Sequence, residues 1–304
     1  MKDKAGLRPI LADIICHGCW GFSFLASRTA LNTAHVFVLL SHRFLISFLI
    51  MHLFPRQLAG MRCKPRQLLL LLALGVFQPA LYFFGEQFGI LHSTTIFSGV
   101  MIDMIPVVST LAAVPILKER PTVGQLLFGL LSVGGVIGIG LLSKQSGRLD
   151  WIGVAALVLA VVSAAGYTLL ARGLSGQTSP FSRTYAMLIV GAVVFTVLAL
   201  VRCRGDLSAY LVPFRTTSYL LSVLFLSVFC SVVSFFLSNY AISKLPVARE
   251  TVFANLTTAV SVFAGVVILH EPFSWLGLVF CLVILIGIYG VQRAGIRKGS
   301  KSEG

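Results

Sequence analysis

Two acidic side chains lie inside long apolar stretches of the sequence and are the first candidates for chemistry. Glu86 lies in the stretch 67–90, and Asp103 lies in the stretch 94–117. An ionisable group in the core of a membrane costs about 2.5 kcal/mol or more, so it usually faces a partner or a hydrated site. A carboxyl group in such a place can exchange a proton for a substrate amine, and this is the chemistry expected of Asp103 or Glu86.

Glu86 has polar neighbours at helical spacing. Gln78, Tyr82 and Glu86 follow one another at i, i+4 and i+8, which predicts one stripe of amide, phenol and carboxylate groups. This set suits an amine-bearing or aromatic ligand, through hydrogen bonds and cation–π contact. The alternative is that Glu86 pairs with Arg28 or Arg43 near the outer end of the bundle, where such a pair can act as a gate.

Asp103 is expected on the same helix face as Pro106. Proline removes one backbone hydrogen bond, here to the carbonyl of Ile102, which can then bind substrate or let the helix bend. Asn255 corresponds to Asp103 when the chain is shifted by 152 positions, and we expect the two side chains to meet at similar depth. The alternatives are a hydrogen bond from Asp103 to neighbouring Ser or Thr and a simple helix-joining role for Asn255.

The first apolar stretch carries a second candidate for proton transfer. Asp13 and His17 lie one helical turn apart, and histidine side chains titrate near neutral pH. The alternative is a hydrated Asp13 and a His17 that hydrogen-bonds within the bundle. Trp20, and Tyr167 at the equivalent part of the sixth stretch, are expected either to contact substrate or to pack.

Metal and enzyme chemistry are not expected from the motifs. Cys16 and Cys19 form a C-x-x-C pair, but no second ligand pair accompanies it, as a metal or redox centre would require. The sequence contains neither H-E-x-x-H nor G-x-S-x-G. We therefore expect no cofactor, no bound metal and no enzymatic activity.

The composition determines which elements must position these residues. Hydrophobic residues make up 57% of the chain and charged residues 11%, against about 25% charged in soluble domains. The chain is therefore predicted to be an all-α polytopic membrane protein. Its first apolar stretch, 10–31, exceeds the apolar region of a signal peptide, about 15 residues at most, and is expected to remain as a span.

The apolar stretches predict a repeated architecture. Windows of about 20 apolar residues predict ten spans, at 10–31, 36–54, 67–90, 94–117, 122–142, 151–171, 181–201, 216–243, 246–269 and 273–292. Five spans precede the polar link 143–150 and five follow it. Because five is odd, the two halves enter the membrane from opposite sides and form an inverted repeat, as in many secondary transporters.

The distribution of Lys and Arg predicts the orientation. These residues concentrate in the loops on the side of both termini, which places the termini in the cytoplasm by the positive-inside rule. Anionic lipids at the inner leaflet account for the net charge of +14, so no nucleic-acid partner is expected. The basic tail 293–304 is predicted to anchor this topology.

Short motifs in these spans resemble the EamA branch of the drug/metabolite transporter superfamily. They are Trp20-Gly21, Arg43-Phe44, Pro106, and the glutamate-containing exits LKERP at 117–121 and LHEPF at 269–273. The resemblance implies a first five-helix repeat at 1–142, a link at 143–150, a second repeat at 151–292 and a tail at 293–304. In that family helices one to four and six to nine line a central cavity, and helices five and ten support the contact between repeats.

The resemblance also implies a function. It indicates a proton-coupled or exchange-type carrier in a bacterial inner membrane, commonly an exporter of amino acids, other small metabolites or organic cations. Its partners are expected to be a small-molecule substrate, protons and lipids, and the protein is expected to be a monomer or homodimer. The alternatives are a channel or a structural membrane protein, and less favourably an intramembrane enzyme. Saturable transport with counterflow distinguishes a carrier from a channel.

Overall fold

The computed structural model describes residues 7–59, 64–109, 112, 122–145, 150–174, 176–244, 256–270 and 274–302. Within these ranges the chain forms helices and no β-strand, as the composition predicts. The main helices are α1 (Leu7–Leu31), α2 (Val36–Met51), α3 (Pro65–Leu91), α4 (Thr95–Ser109), α5 (Val123–Gln145), α6 (Trp151–Leu174), α7 (Pro180–Arg202), α8 (Thr217–Ala241), α9 (Leu256–Ile268) and α10 (Trp275–Ser302). The short helices Pro55–Ala59 and Leu207–Leu211 lie in connections.

The helices are those of a multi-pass membrane protein. Six of them, α1, α3, α5, α6, α7 and α8, are long and apolar enough to cross a membrane. Their outer surfaces expose large apolar side chains such as Leu130, Val162 and Leu221, whereas charged Arg43 and Glu86 are buried inside. An apolar exterior around polar groups reverses the pattern of a soluble protein. The four shorter apolar helices fall in the remaining predicted spans, and the count of ten spans stays a prediction.

Helix α3 is interrupted, which corrects one expectation from the sequence. Its middle segment, Val76–Leu81, has wide π-type turns, and Gln78 takes the extended angles φ −145° and ψ 112°. The residue before a proline is disfavoured in the helical region, and Pro79 follows Gln78 directly. The predicted regular stripe from Gln78 to Glu86 is therefore wrong at its first member, although Gln78 is buried.

Helices α2 and α7 pack on each other in the middle of the bundle. The rings of Phe44 and Phe195 are stacked with centroids 5.6 Å apart. Ser41 Oγ lies 2.9 Å from Thr196 Oγ1, so the pair shares a hydrogen bond across the interface. Gly191 allows this close approach, because a Cβ there would meet the ring of Phe44. This pair of helices fixes the position of Arg43 on α2.

Helices α5 and α10 make a second interface, and its contacts come in related pairs. A Cβ at Gly138 would clash with the ring of Phe280, and a Cβ at Gly290 would clash with the ring of Phe128. A shift of 152 positions takes Gly138 to Gly290 and Phe128 to Phe280, so it converts one contact into the other. Each glycine thus makes room for an aromatic ring of the opposite half.

The remaining helices also pack across the two halves of the chain. On α3, a Cβ at Gly85 would meet the backbone of Ala156 on α6. On α1, the indole nitrogen of Trp20 donates a hydrogen bond to the carbonyl oxygen of Cys230 on α8, over 3.1 Å. Residues of α1, α2, α3 and α8 therefore converge in the interior, where the candidate site lies.

Candidate functional site

Glu86 lies at the centre of a buried hydrogen-bond network. Its Oε1 accepts a hydrogen bond from the Tyr82 hydroxyl over 2.7 Å, and its Oε2 accepts one from Gln87 Nε2 over 2.9 Å. Gln87 Nε2 also contacts Ser27 Oγ on α1, at 3.2 Å. All four side chains are buried. The predicted turn from Tyr82 to Glu86 is therefore present, whereas the part played by Gln87 was not predicted.

Arg43 on α2 lies beside this network. Its Nε donates a hydrogen bond to Ser231 Oγ on α8 over 2.8 Å, and its guanidinium carbon lies 4.3 Å from the centroid of the Phe83 ring. Arg43 Nη1 is buried and has no hydrogen-bond partner in the described part of the chain. The guanidinium is therefore held beside α3, the helix of Glu86, by a ring and a hydroxyl.

The direct ion pair considered for Glu86 is not formed. Among the described residues, no nitrogen of Arg28 or Arg43 lies within 4.0 Å of a Glu86 oxygen. Arg28 instead donates hydrogen bonds to the carbonyl oxygens of Ile90 and Ser93 at the end of α3. A cation at the carbonyl end of a helix is favourable. Arg28 thus ties α1 to α3, and its gating role stays a prediction.

Asp103 lies where α4 changes its winding. The regular helix ends at Ile102, and the Met104 amide bonds three residues back, to Met101, over 3.1 Å. Pro106 has no amide hydrogen to continue the regular pattern at this point. Asp103 Oδ2 is buried and has no hydrogen-bond partner in the described ranges. The alternative in which a neighbouring Ser or Thr satisfies this oxygen therefore does not occur among those residues.

The predicted meeting of Asp103 with Asn255 lies outside the described residues, since residues 245–255 are not described. Helix α9, which follows these residues, packs closely against α4, because a Cβ at Gly99 would clash with Ser261 on α9. Thr258, one turn after Asn255 in the sequence, is buried, and its Oγ1 has no hydrogen-bond partner among the described residues. Polar groups of α4 and α9 are thus brought to one interface.

On α1, Asp13 and His17 lie close together as predicted. Asp13 Oδ1 is 3.5 Å from His17 Nε2, and His17 Nδ1 is 3.0 Å from Thr257 Oγ1 on α9. The imidazole also packs edge-on against Trp20, with centroids 5.2 Å apart. Trp20 therefore has both a hydrogen-bonding and a packing role at the junction of α1 with α8.

In the second half of the chain, Tyr167 belongs to a comparable buried network. Its hydroxyl donates to Asn239 Oδ1 over 3.4 Å, and Asn239 Nδ2 donates to Thr184 Oγ1 over 3.1 Å. Arg183 donates to the carbonyl oxygens of Asn239 and Ala171, over 3.2 and 3.3 Å. Arg183 is fully buried, and two carbonyl groups near helix ends receive its hydrogen bonds.

A polar contact joins the end of α3 to the start of α6. His92, which follows α3, places Nδ1 2.8 Å from Asp150 Oδ2, and Asp150 precedes α6. Asp150 Oδ1 accepts a hydrogen bond from the Gly153 amide over 2.8 Å. That amide, together with His92, holds the pKa of Asp150 below its usual value, because each stabilises the charged carboxylate. Both side chains are partly exposed to solvent.

These groups can bind a polar ligand. The network around Glu86 provides a carboxylate, a phenol, an amide and a neighbouring guanidinium, drawn from α1, α2, α3 and α8. The sequence alone did not identify Gln87 and Ser231 as members of the network around Glu86. A signal for Gln87 was present, because the shift of 152 positions aligns it with Asn239, and both amides are fully buried.

Comparisons with known proteins agree with a transport role. The EamA-like transporter family matches this chain twice, over residues 8–141 and 151–293. An uncharacterized transporter of Bacillus subtilis (strain 168), YcxC, is 34% identical over 302 residues, covering 97% of this chain and 95% of the relative. An uncharacterized transporter of Archaeoglobus fulgidus is 24% identical and covers 90% and 95% of the two chains. A crystal structure with 14% identity aligns with a TM-score of 0.64 over 94% of this chain and 98% of its own, which shows a shared fold.

Proposed function

Because the chain belongs to the EamA-like transporter family, we propose that it is a secondary active transporter that exports a small amine-bearing metabolite or organic cation. Transport proceeds by alternating access, coupled to protons or to exchange. The protein is a membrane transporter by its family and its helices. The substrate class, the coupling and the direction are the proposed part.

The observation that carries this proposal is the pair of buried charges at Glu86 and Arg43. Each is held by neutral partners, Tyr82 and Gln87 on one side and Ser231 on the other, and no direct ion pair with another described residue neutralises them. Buried charges inside membrane helices are costly and mark substrate or ion pathways. A substrate amine would bind Glu86, and a substrate carboxylate, where present, would bind Nη1 of Arg43, which has no hydrogen-bond partner among the residues that the structure describes.

The other candidate residues are proposed to contact the substrate, to exchange the coupled proton or to act in gating. Tyr82, Gln78, Trp20, Tyr167 and Asn255 are proposed to contact substrate, together with Asp103. Asp103 and Glu86 are also proposed to exchange the coupled proton, and Pro106 to allow α4 to bend. His17, Arg28 and Arg43 are proposed as coupling or gating residues, since each joins α1 or α2 to another helix.

An inverted repeat of two five-helix halves is proposed as the architecture. Two observations support it: the family matches the chain twice, and the shift of 152 positions exchanges the contacts of Gly138 with Phe280 and of Gly290 with Phe128. An exchange of this kind is expected of two halves related by a two-fold axis. The site then lies near that axis, and α5 and α10 support it.

We further propose a bacterial inner membrane location with both termini in the cytoplasm. The excess of Lys and Arg in the loops on that side supports this orientation. Anionic lipids are the proposed partners of the basic tail, no nucleic acid takes part, and the protein acts as a monomer or homodimer.

The proposal is tested with protein reconstituted in liposomes. Amino acids, amines, nucleosides and organic cations are first screened by thermal shift, because a ligand of the folded state raises the apparent stability. Hits are then tested for saturable uptake and for counterflow at two pH values. Glu86→Gln is expected to abolish binding of amines, and Asp103→Asn to remove the pH dependence. Binding confined to anions, or an unchanged pH profile in Asp103→Asn, would contradict the respective role.

A further inference from the structure

Three side chains that ligate metals lie together on one turn of α1. Asp13, Cys16 and His17 are all buried, and one ligand atom from each lies within 4.8 Å of the other two. Asp13 Oδ1 is 3.7 Å from Cys16 Sγ and 3.5 Å from His17 Nε2. The spacing i, i+3 and i+4 puts the three on one helix face.

The Thr257 hydroxyl on α9 contacts His17 at two points. Its oxygen lies 3.0 Å from His17 Nδ1 and 3.2 Å from the carbonyl oxygen of His17. When the hydroxyl donates to Nδ1, Nε2 carries the ring hydrogen and faces Asp13 Oδ1 at 3.5 Å as a donor. When the hydroxyl donates to the carbonyl oxygen, Nδ1 carries the hydrogen and Nε2 is a lone-pair acceptor, which is the tautomer that binds a metal ion.

The Cys16 thiol donates a weak hydrogen bond to Asp13 Oδ1, and a metal ion bound to Sγ would take the place of that hydrogen. Two of the three separations between ligand atoms match those around a metal ion, and all three atoms lie within 4.8 Å of one another. Ligand atoms about 2.0–2.3 Å from a tetrahedral zinc ion lie about 3.3–3.8 Å from one another. The measured separations of Asp13 Oδ1 from Sγ and from Nε2, 3.7 and 3.5 Å, fall in this range.

We propose that Asp13, Cys16 and His17 form a binding site for a divalent, thiolate-binding metal ion of the zinc type. The ligand atoms are Asp13 Oδ1, Cys16 Sγ and His17 Nε2, with the fourth coordination position open. One carboxylate, one thiolate and a neutral imidazole balance the two charges of the ion. A neutral buried site avoids the cost of placing net charge in a medium of low dielectric constant. Thr257 orients the imidazole from the second coordination shell.

Metal binding must displace a proton at this site. The thiol of Cys16 loses its hydrogen as the metal–sulfur bond forms, and the proton passes to solvent. Apparent affinity therefore falls as the pH is lowered. Occupancy also joins α1 more firmly to α9, because His17 is held on one side by the metal and on the other by Thr257.

The site differs from the C-x-x-C motif seen in the sequence. Cys19 is partly exposed, and its carbonyl oxygen accepts a hydrogen bond from the Cys230 thiol over 3.3 Å, at the interface of α1 with α8. Cys19 is not a member of the three-ligand group. It is therefore the matched control, since it lies on the same helix, one turn from Cys16.

The test is titration of the full chain in detergent with Co²⁺, after treatment with a chelator. We expect one cobalt ion per chain, with sulfur-to-cobalt charge-transfer absorption in the near ultraviolet, displaced by Zn²⁺ and weakened at lower pH. Cys16→Ser should abolish the absorption, and Cys19→Ser should keep it. Thr257→Val should keep the absorption but lower the affinity about 10- to 100-fold.

Several results would overturn the site. The first is a wild type without charge-transfer absorption, which would mean that only a proton lies between Asp13 and His17. The second is the same absorption in Cys16→Ser. The third is loss of the absorption in Cys19→Ser. Variants are compared only where size-exclusion elution and helical content match the wild type. If Cys16→Ser does not fold, two other measurements decide whether the site exists. They are the affinity of Thr257→Val for cobalt and the pH dependence of cobalt binding by the wild type. A site that did not use the thiolate and His17 would show neither effect.

Discussion

The Tyr82 hydroxyl donates a hydrogen bond of 2.7 Å to Glu86 one helical turn further along α3, and both side chains are buried. This pair sits directly after the interrupted segment Val76–Leu81. The carboxylate therefore depends on the part of α3 that resumes regular winding at Tyr82. Any motion at the interruption would move the phenol and the carboxylate together.

Replacing Tyr82 with phenylalanine tests how much this hydrogen bond contributes. Tyr82→Phe leaves Glu86 Oε1 buried without its donor, and an unsatisfied buried acceptor costs about 1–3 kcal/mol, more for a charged group. We expect a lower free energy of unfolding in detergent and weaker binding of any amine that stabilises the wild type. Both are measured by thermal unfolding with and without ligand.

The control for this variant is Tyr289→Phe. Tyr289 lies exposed on α10, so its change should alter stability by no more than about 0.5 kcal/mol. Equal losses in the two variants would show that the Tyr82 bond contributes nothing specific to the site.

Local spacing predicted the contacts that lie within one helix. Tyr82 with Glu86, and Asp13 with His17, follow from the helical period alone. The burial of Arg183 does not follow from its spacing, because an arginine close to Pro180, at a helix start, is also typical of a loop. Its burial depends on carbonyl groups of residues 171 and 239, which only the packing brings together.

Contacts between distant segments could not be predicted in the same way. His92 and Asp150 are separated by 58 positions, and both looked like ordinary turn residues. The interruption at Gln78 was missed because the spans were assigned from apolar content, which continues through it unchanged, although Pro79 marks the position in the sequence. Hydropathy reports which residues are inside the membrane, but it does not report where a helix loses its regular winding.

The contact between α4 and α9 is tested at Gly99. A Cβ there would clash with Ser261, which is fully buried, so Gly99→Ala forces the two helices apart. Overpacking of this kind costs about 1–3 kcal/mol. We expect a lower melting temperature and reduced transport, because Asp103 follows one turn later on α4.

Gly134→Ala on α5 is the matched control for Gly99→Ala. A Cβ at Gly134 has no atom within 4 Å, and alanine is a better helix former than glycine by about 1 kcal/mol. This variant should be unchanged or slightly more stable. If Gly99→Ala behaves like Gly134→Ala, the close approach of α4 to Ser261 is not present in the membrane.

The contact between His92 and Asp150 predicts a specific pH dependence. The pKa of Asp150 is held below its ordinary value, chiefly by the Gly153 amide. A depressed carboxyl pKa contributes stability above the unfolded-state value, about 3.9, and this contribution is lost as the pH falls through the lower native value. The difference in melting temperature between wild type and Asp150→Asn should therefore be retained down to about pH 4 and shrink below it.

His92→Gln separates the two partners of Asp150, since it leaves the Gly153 amide in place. In this variant the effect of Asp150→Asn should be smaller but should vanish over the same acidic range. If Asp150→Asn has no effect in the His92→Gln background, His92 rather than the amide dominates.

The exchanged contacts of α5 and α10 give the sharpest test of the two-fold relation. Gly138→Ala places a methyl group against the Phe280 ring, and Gly290→Ala places one against the Phe128 ring. If a two-fold axis relates the contacts, the two substitutions should destabilise the protein by similar amounts, about 1–3 kcal/mol each by overpacking. Phe280→Leu should then relieve Gly138→Ala and leave Gly290→Ala unrelieved, while Phe128→Leu should do the reverse.

The measurement is a pair of double-mutant cycles on thermal unfolding in detergent. Coupling is expected within each glycine–phenylalanine pair and not between the pairs, since substitutions without shared partners are close to additive. Relief of Gly290→Ala by Phe280→Leu would mean that the two contacts are not independent. Destabilisation by only one of the two glycine variants would mean that α5 and α10 do not pack symmetrically, and the repeat would lose its main structural support.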